Sequence, residues 1–284
     1  MNSKALFNDL VNALTIDESV DERQSIAHIV LENTLGLSRM DVFTEKEIEV
    51  TKASDSVVKN ILARINDHEP LQYIFGETEF YGRKFKVNSS VLIPRPETEE
   101  LVALVKDHFQ ATGSVEPVII DIGTGSGCIA ISLVLEIPGA KVSATDVSVE
   151  ALETARNNAA ALEANVNFLN TNILLDPIPL DGLDAVVSNP PYIPLSEKAA
   201  MKSNVTRFEP SLALFVADED PIIFYRAIAG KAFKSLRAGG LLAVEINERF
   251  GSGVAKVLVS LGFINVQVLK DLFGKERIVK GLRP

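Results

Sequence analysis

The sequence predicts an α/β protein in which a mostly parallel sheet, covered by helices and closed by an antiparallel hairpin, follows a small α-helical bundle. Three observations predict it. From residue 118 onward, short apolar runs of strand type alternate with helical patterns, as in a parallel sheet wrapped on both faces. Before residue 72 the chain carries helical periodicities and helix stop signals. Near its end, apolar runs at 266–269 and 278–280 flank Gly274, which reads as a hairpin at the sheet edge.

The helical part, 1–72, is taken first. A helix over 25–35 carries Ile26, Ile29 and Val30 on one face and stops at Gly36. Thr44-Glu45-Lys46-Glu47 has capping-box spacing and predicts a helix start. Val57, Ile61 and Ile65, with Val58 and Leu62 alongside, form one apolar stripe that Asn66, Asp67 and Pro70 end. No polar constellation here suggests chemistry, so the expected role is a structural cap or recognition of a macromolecule. Residues 73–95 read as a β-hairpin linker, with Phe80-Tyr81-Gly82 before the alternating Lys84-Phe85-Lys86-Val87.

The third segment, 96–284, opens on Pro96. A proline in a first helical turn, followed by Glu97, Glu99 and Glu100 near the positive helix end, is a strong helix start. The expected strands are 118–121, 141–145, 166–169, 185–187 and 241–246; helices such as 149–162 and 221–236 lie between them.

Composition bounds what such a chain can do. Of 284 residues 46% are hydrophobic and 23% charged, enough for a sizeable core. A formal charge of −10 argues against strong direct nucleic-acid binding, which rests on phosphate neutralisation. A single cysteine, Cys128, permits no internal disulfide and suits a reducing compartment. The first residues are broken by polar side chains, unlike a signal peptide, and no apolar run approaches the roughly 20 residues that span a bilayer. A cytoplasmic monomer that is not membrane-bound is expected, and no metal site is read.

Two motifs carry the chemistry. The loop Asp121-Ile122-Gly123-Thr124-Gly125-Ser126-Gly127 follows one strand and opens the next helix. Its glycines allow a tight turn and close approach of a ligand. Asp146 ends the following strand, where an acid commonly holds the two hydroxyls of a ribose. Together they predict an adenosine-containing cofactor. Gly125-x-Gly127-x-x-Ala130 also fits a dinucleotide fingerprint, so a nicotinamide-dependent dehydrogenase stays open. S-adenosylmethionine would instead bring an ammonium, for which Asp121 is placed.

The second motif is Asn189-Pro190-Pro191-Tyr192, directly after an apolar strand. Two prolines hold the chain extended and remove two backbone donors. Asn189 and the Pro190 carbonyl can accept hydrogens from a planar NH2 group while Tyr192 covers its face. A hydride-transfer enzyme has no evident use for such a clamp; a methyltransferase acting on a planar amine or amide does.

On these residues the chain resembles the Rossmann-like class I S-adenosylmethionine-dependent methyltransferases, and within them the HemK-type release factor glutamine methyltransferases. The resemblance runs through Pro70-Leu71-Gln72-Tyr73-Ile74-Phe75-Gly76, Leu92-Ile93-Pro94-Arg95-Pro96-Glu97-Thr98-Glu99, both motifs above, Glu209-Pro210-Ser211-Leu212-Ala213-Leu214 and Asp271-Leu272-Phe273-Gly274-Lys275-Glu276-Arg277. Asn-Pro-Pro-Tyr also occurs in enzymes that methylate the exocyclic amine of adenine, which is the alternative substrate; the segment 93–99 is more specific.

The resemblance implies methyl transfer to the side-chain amide nitrogen of the glutamine in a release factor's Gly-Gly-Gln motif, with the helical domain holding that protein. It implies a cofactor site of Asp121, Gly123, Thr124, Gly125, Gly127, Asp146, Val147, Asn172, Ile173 and Asn189. It also implies a substrate site of Asn189, Pro190, Pro191, Tyr192, Arg95 and Glu97. Asn172 stands where many relatives carry an acid that meets the adenine amine, and it can accept only without charge assistance. Catalysis is expected to rest on positioning by Asn189, Pro190 and Tyr192, because no lysine or histidine constellation resembles a general base.

Overall fold

The computed structural model describes residues 2–284 and divides into two compact units. One unit runs to Gly76 and includes Ser203–Phe208; the other comprises Glu77–Lys202 and Glu209–Pro284.

The helical unit contains α1 (Ser3–Ala13), α2 (Val20–Leu35), α3 (Arg39–Phe43), α4 (Lys52–Asn66) and α5 (Leu71–Phe75). Phe7, Leu10, Val30, Leu31, Ile61 and Ile65 meet in its core. Two sequence expectations need correction. Thr44-x-x-Glu47 is not a capping box: Thr44 ends α3, its hydroxyl donating back to the Met40 carbonyl at 2.9 Å. The capping box is Ser38 with Asp41, one helix earlier, and Thr51 caps α4 by accepting from the Ser54 N–H at 3.1 Å. The buried stripe of α4 is Val58, Ile61 and Ile65, whereas Val57 is 51% exposed. A spacing of three then four keeps to one helical face better than repeated steps of four. Tyr73–Phe75, read with the hairpin linker, lie in α5.

The second unit begins with β1 (Glu77–Phe80) and β2 (Arg83–Lys86), an antiparallel pair. Tyr81 and Gly82 turn between them with φ of 50° and 69°, the left-handed pair of a tight hairpin. A 3₁₀ turn over Pro96–Thr98 leads into α6 (Glu99–Thr112). There follow β3 (Val118–Ile122), α7 (Cys128–Glu136), β4 (Lys141–Asp146), α8 (Val149–Ala161), β5 (Val166–Asn170), β6 (Leu183–Ser188) and the short β7 (Ile193–Pro194). After α9 (Ser203–Phe208), which clusters with the helical unit, come α10 (Ser211–Leu214), β8 (Phe215–Val216), α11 (Ile223–Ser235), β9 (Leu236–Glu245), α12 (Gly251–Ser260), β10 (Ile264–Lys270) and β11 (Glu276–Leu282).

Seven of these strands form one sheet in the order β10-β11-β9-β6-β3-β4-β5. The pairs from β9 to β5 are parallel, and β11 joins antiparallel to β9 and to β10. Alternate residues of each strand feed opposite cores. Ile119, Ala185, Val187 and Ala243 pack with α6 and α7, while Ile120, Val186, Leu242 and Val244 pack with α11 and α12. Chain order reverses at β3, which lies between β4 and β6. In a doubly wound sheet that is where a crevice opens beyond the strand ends.

Candidate active site

A cavity of ≈ 340 Å³ lies at the carboxyl ends of β3, β4 and β6, within the usual range for small-molecule sites. Three neighbouring strands of the sheet bring its walls together: the loop after β3, Asp146 at the end of β4, and Asn189 one residue beyond β6.

The glycine loop holds itself in place. The amides of Gly123 and Thr124 donate to the Thr145 carbonyl at 2.8 and 2.9 Å, and the Gly127 amide to Thr124 at 2.9 Å. The Gly125 amide donates to Asp146 Oδ2 at 2.9 Å. A dinucleotide loop needs such amides for pyrophosphate. Here these four are engaged, which leaves fewer loop donors for a pyrophosphate than a dinucleotide site uses.

Gly127 also has little room for a side chain. Its φ is +82°, and a Cβ there would lie 3.0 Å from Ile131 Cδ1 and 3.1 Å from Ala155 Cβ. Gly127→Ala is expected to destabilise the protein by about 2–4 kcal/mol, adding left-handed strain to overpacking. A lowered denaturant midpoint at unchanged m-value checks this.

Asp146 and Asp121 differ in their surroundings. Asp146 lines the cavity; Oδ1 accepts from the Ser148 amide at 2.9 Å and Oδ2 from Gly125. A carboxylate has roughly four lone-pair sites, so two hydroxyls can still be received. Asp121 is fully buried beneath the loop and does not line the cavity. Its Oδ2 accepts from the Thr124 hydroxyl at 2.6 Å, and its Oδ1 is buried without a hydrogen bond. Burial pushes this carboxyl up to about 7. An orphaned buried acid under an adenosine-type loop suits a cationic ligand group.

Val147 and Ile173 supply apolar wall, and Asn172 lies between them. Asn172 Oδ1 accepts from the Leu174 amide at 3.0 Å, an Asx turn that draws on the carbonyl expected to meet an adenine amine.

The substrate motif is only partly gathered at the cavity. Asn189, Pro190 and Pro191 line it, as does Arg95. The Pro190 carbonyl accepts no hydrogen bond among the described residues. Arg95 pairs with Glu209 at 2.6 Å, and the other Glu209 oxygen accepts from the Ile93 amide at 3.2 Å. Arg95 therefore braces the segment before α6 against the Glu209-Pro210 segment, within one unit.

Two expected site residues stand elsewhere. Glu97 does not line the cavity. Tyr192 does not line it either: its ring packs beside the α11–α12 core, and its hydroxyl donates to Glu245 Oε1 at 3.3 Å. Tyr192 is held there by the Glu245 carboxylate at the end of β9 and by the apolar core around α11 and α12.

Sequence reasoning missed Thr98, Glu209 and Glu245. Glu245 had a visible signal: it is an acid inside the apolar run 241–246, and such a residue is buried only with partners. In the structure it is 1% exposed and accepts from the Thr98 hydroxyl at 2.7 Å.

Two family models match parts of the chain, one ending where the helical unit's first segment ends. A PrmC N-terminal domain matches residues 11–76, and a Methyltransferase small domain matches residues 101–208. The hMettl16 catalytic domain, solved with an RNA hairpin, covers 84% of this chain and 84% of its own at a TM-score of 0.56 and 18% identity. That likeness establishes a methyltransferase fold. The release factor glutamine methyltransferase of Bacteroides thetaiotaomicron is 43% identical over 93% of this chain and 94% of its own length. The protein of that name from Flavobacterium psychrophilum is 40% identical over 95% of each. With two relatives this similar from end to end, the chain belongs to the release factor glutamine methyltransferase family.

Proposed function

We propose that this protein transfers the methyl group of S-adenosylmethionine to the side-chain amide nitrogen of the glutamine in the Gly-Gly-Gln motif of peptide chain release factors. The observation that carries the reading is the placement of Asn189 and Asp146 on the walls of one cavity. One binds the adenosine half of the donor, and the other meets the nitrogen that is to be methylated.

S-adenosylmethionine supplies an electrophilic methyl on a sulfonium. The chain's own residues bind and orient. Asp146 takes the ribose hydroxyls, Val147 and Ile173 flank the adenine, and the buried Asp121 carboxyl attracts the ammonium. Asn189 Oδ1 and the Pro190 carbonyl accept the two amide hydrogens and raise electron density on nitrogen. None of His28, His68 and His108 lines the cavity. Positioning rather than a general base then lowers the barrier, by an amount that reaches roughly 7–11 kcal/mol in the best-oriented reactions. The helical unit serves as the recognition domain for the release factor; Met40 and Phe43 on α3 are 67% and 81% exposed, apolar surface of the kind that binds protein.

Asp121 gives this reading a test apart from turnover. An ammonium drawn to the loop that covers the Asp121 carboxyl, which burial pushes up to about 7, would favour its charged form and release a proton on binding. The calorimetric enthalpy of S-adenosylmethionine binding at pH 7 is expected to vary with the buffer's ionisation enthalpy, and affinity to rise with pH through that region. Asp121→Asn abolishes both dependences.

The decisive assay offers labelled cofactor to a release factor, to the same factor with its motif glutamine replaced, and to nucleic acid. Label is expected on the first only. Full labelling of the glutamine-replaced factor overturns the proposal.

A further inference from the structure

We propose that Glu245, acting through the Thr98 hydroxyl, is the positioning residue that sets which end of the Asn189 side-chain amide faces the cavity. The inference rests on the reading of Asn189 as the acceptor for the substrate amide.

The geometry is a chain of three groups. Ser188 and Val244 are paired across β6 and β9, so the next residues along the two parallel strands, Asn189 just past β6 and Glu245 at the end of β9, lie side by side. Thr98 comes in from the turn before α6 and sits between them. Its Oγ1 lies 2.7 Å from Glu245 Oε2 and 3.2 Å from Asn189 Nδ2. Thr98 is 3% and Glu245 1% exposed, so the chain is shielded from bulk solvent.

Proton counting decides the rest. A hydroxyl carries one proton, and an ionised carboxylate can only accept. The Thr98 proton therefore points at Glu245, and the Thr98 lone pairs are left to face Asn189. Only the NH2 end of Asn189 can donate into them; the reversed amide would set two oxygens against each other at 3.2 Å. The Asn189 carbonyl is thereby turned to the cavity, where it is needed. The opposite oxygen of Glu245 receives the Tyr192 hydroxyl at 3.3 Å, so both ends of Asn189-Pro190-Pro191-Tyr192 hang from one carboxylate.

The same counting yields a pH dependence. A protonated Glu245 can donate to Thr98, whose own proton is then free to point at Asn189 and favour the reversed amide. Several groups bear on this titration. Arg277 on β11, itself paired with Asp271 at 3.0 Å, favours the charged form. Glu97 opposes it, and the Tyr192 hydroxyl hydrogen bond supports it. Tyr225 on α11 and Cys128 at the start of α7 also feel the Glu245 charge. Burial is the largest influence and pushes the carboxyl up to about 7.

The test uses the full chain with a release factor substrate at saturating S-adenosylmethionine. Thr98→Val keeps the shape and removes the hydroxyl; kcat is expected to fall by roughly 10²-fold with cofactor affinity near the parent's, and the melting temperature falls because the buried Glu245 carboxylate loses a donor. Thr98→Ser recovers most of that loss. The parent's kcat falls as pH drops below about 7, and this limb vanishes in Glu245→Gln, which cannot titrate. Thr98→Val at the parental kcat, with Asn189→Ala inactive, overturns the relay and leaves the site reading standing. An active Asn189→Ala overturns the site reading itself. Persistence of the acid limb in Glu245→Gln also overturns the relay, and that profile is readable even in a variant of lowered stability.

Discussion

Asn189→Ala is expected to lower kcat by at least 10²–10³-fold, roughly the loss seen when one preorganised polar contact to a reacting group is removed, while S-adenosylmethionine binding persists. The physical case is the separation of tasks around the cavity. The wall proposed to hold the cofactor comprises the loop after β3 and Asp146 at the end of β4, and its hydrogen bonds do not involve the Asn189 side chain. The Asn189 amide instead belongs to the Thr98–Glu245 chain. Equilibrium binding of the cofactor, measured beside single-turnover rates, separates the effects. A rate within a few-fold of the parent's would remove Asn189 from the mechanism.

Asp146→Ala is expected to do the reverse. Two hydroxyl-to-carboxylate hydrogen bonds at roughly 1.5–3 kcal/mol each amount to about 10²–10⁴-fold in cofactor affinity. The same carboxylate also receives the Gly125 and Ser148 amides, so alanine loosens the loop it was bracing. Asp146→Asn keeps an acceptor and should lose less. Titration calorimetry of the three proteins orders them as parent, Asn, Ala; an alanine variant that binds as tightly as the parent excludes Asp146 from the ribose.

Much of this protein is legible from its residue order, for identifiable reasons. The parallel strands are buried on both faces, so they stand out as apolar runs, and β3 and β4 begin at the expected residues 118 and 141. Positions at the ends of such strands are legible for the same reason, and Asp146 and Asn189 both line the cavity there. The helical unit is harder to read. Its capping signals repeat at short intervals, and a serine with an aspartate at Ser38–Asp41 won over the better-looking Thr44-x-x-Glu47 because the chain leaves its helix at Thr44. The short α5, with five residues, has too few turns to show a period. Least legible are the tertiary partners. Nothing in the spacing of Thr98, Asn189 and Glu245 announces that they meet, since that depends on β9 lying beside β6 and on where α6 starts. Tyr192 shows the same limit: its motif position is plain, but the groups around its hydroxyl are set by the sheet.

The engagement of the glycine-loop amides has a consequence for redesign. In a cell, adenine nucleotides compete for any pocket shaped to adenosine. Four of this loop's amides are already engaged, three by carbonyls and that of Gly125 by the Asp146 carboxylate, and the Asp121 carboxyl is buried close by. Rejection of those competitors is therefore written into the main chain. Exchanging the acids for neutral or basic residues would remove a repulsion without supplying a phosphate cradle. Turning this pocket into a nucleotide site would require rebuilding the backbone between β3 and α7.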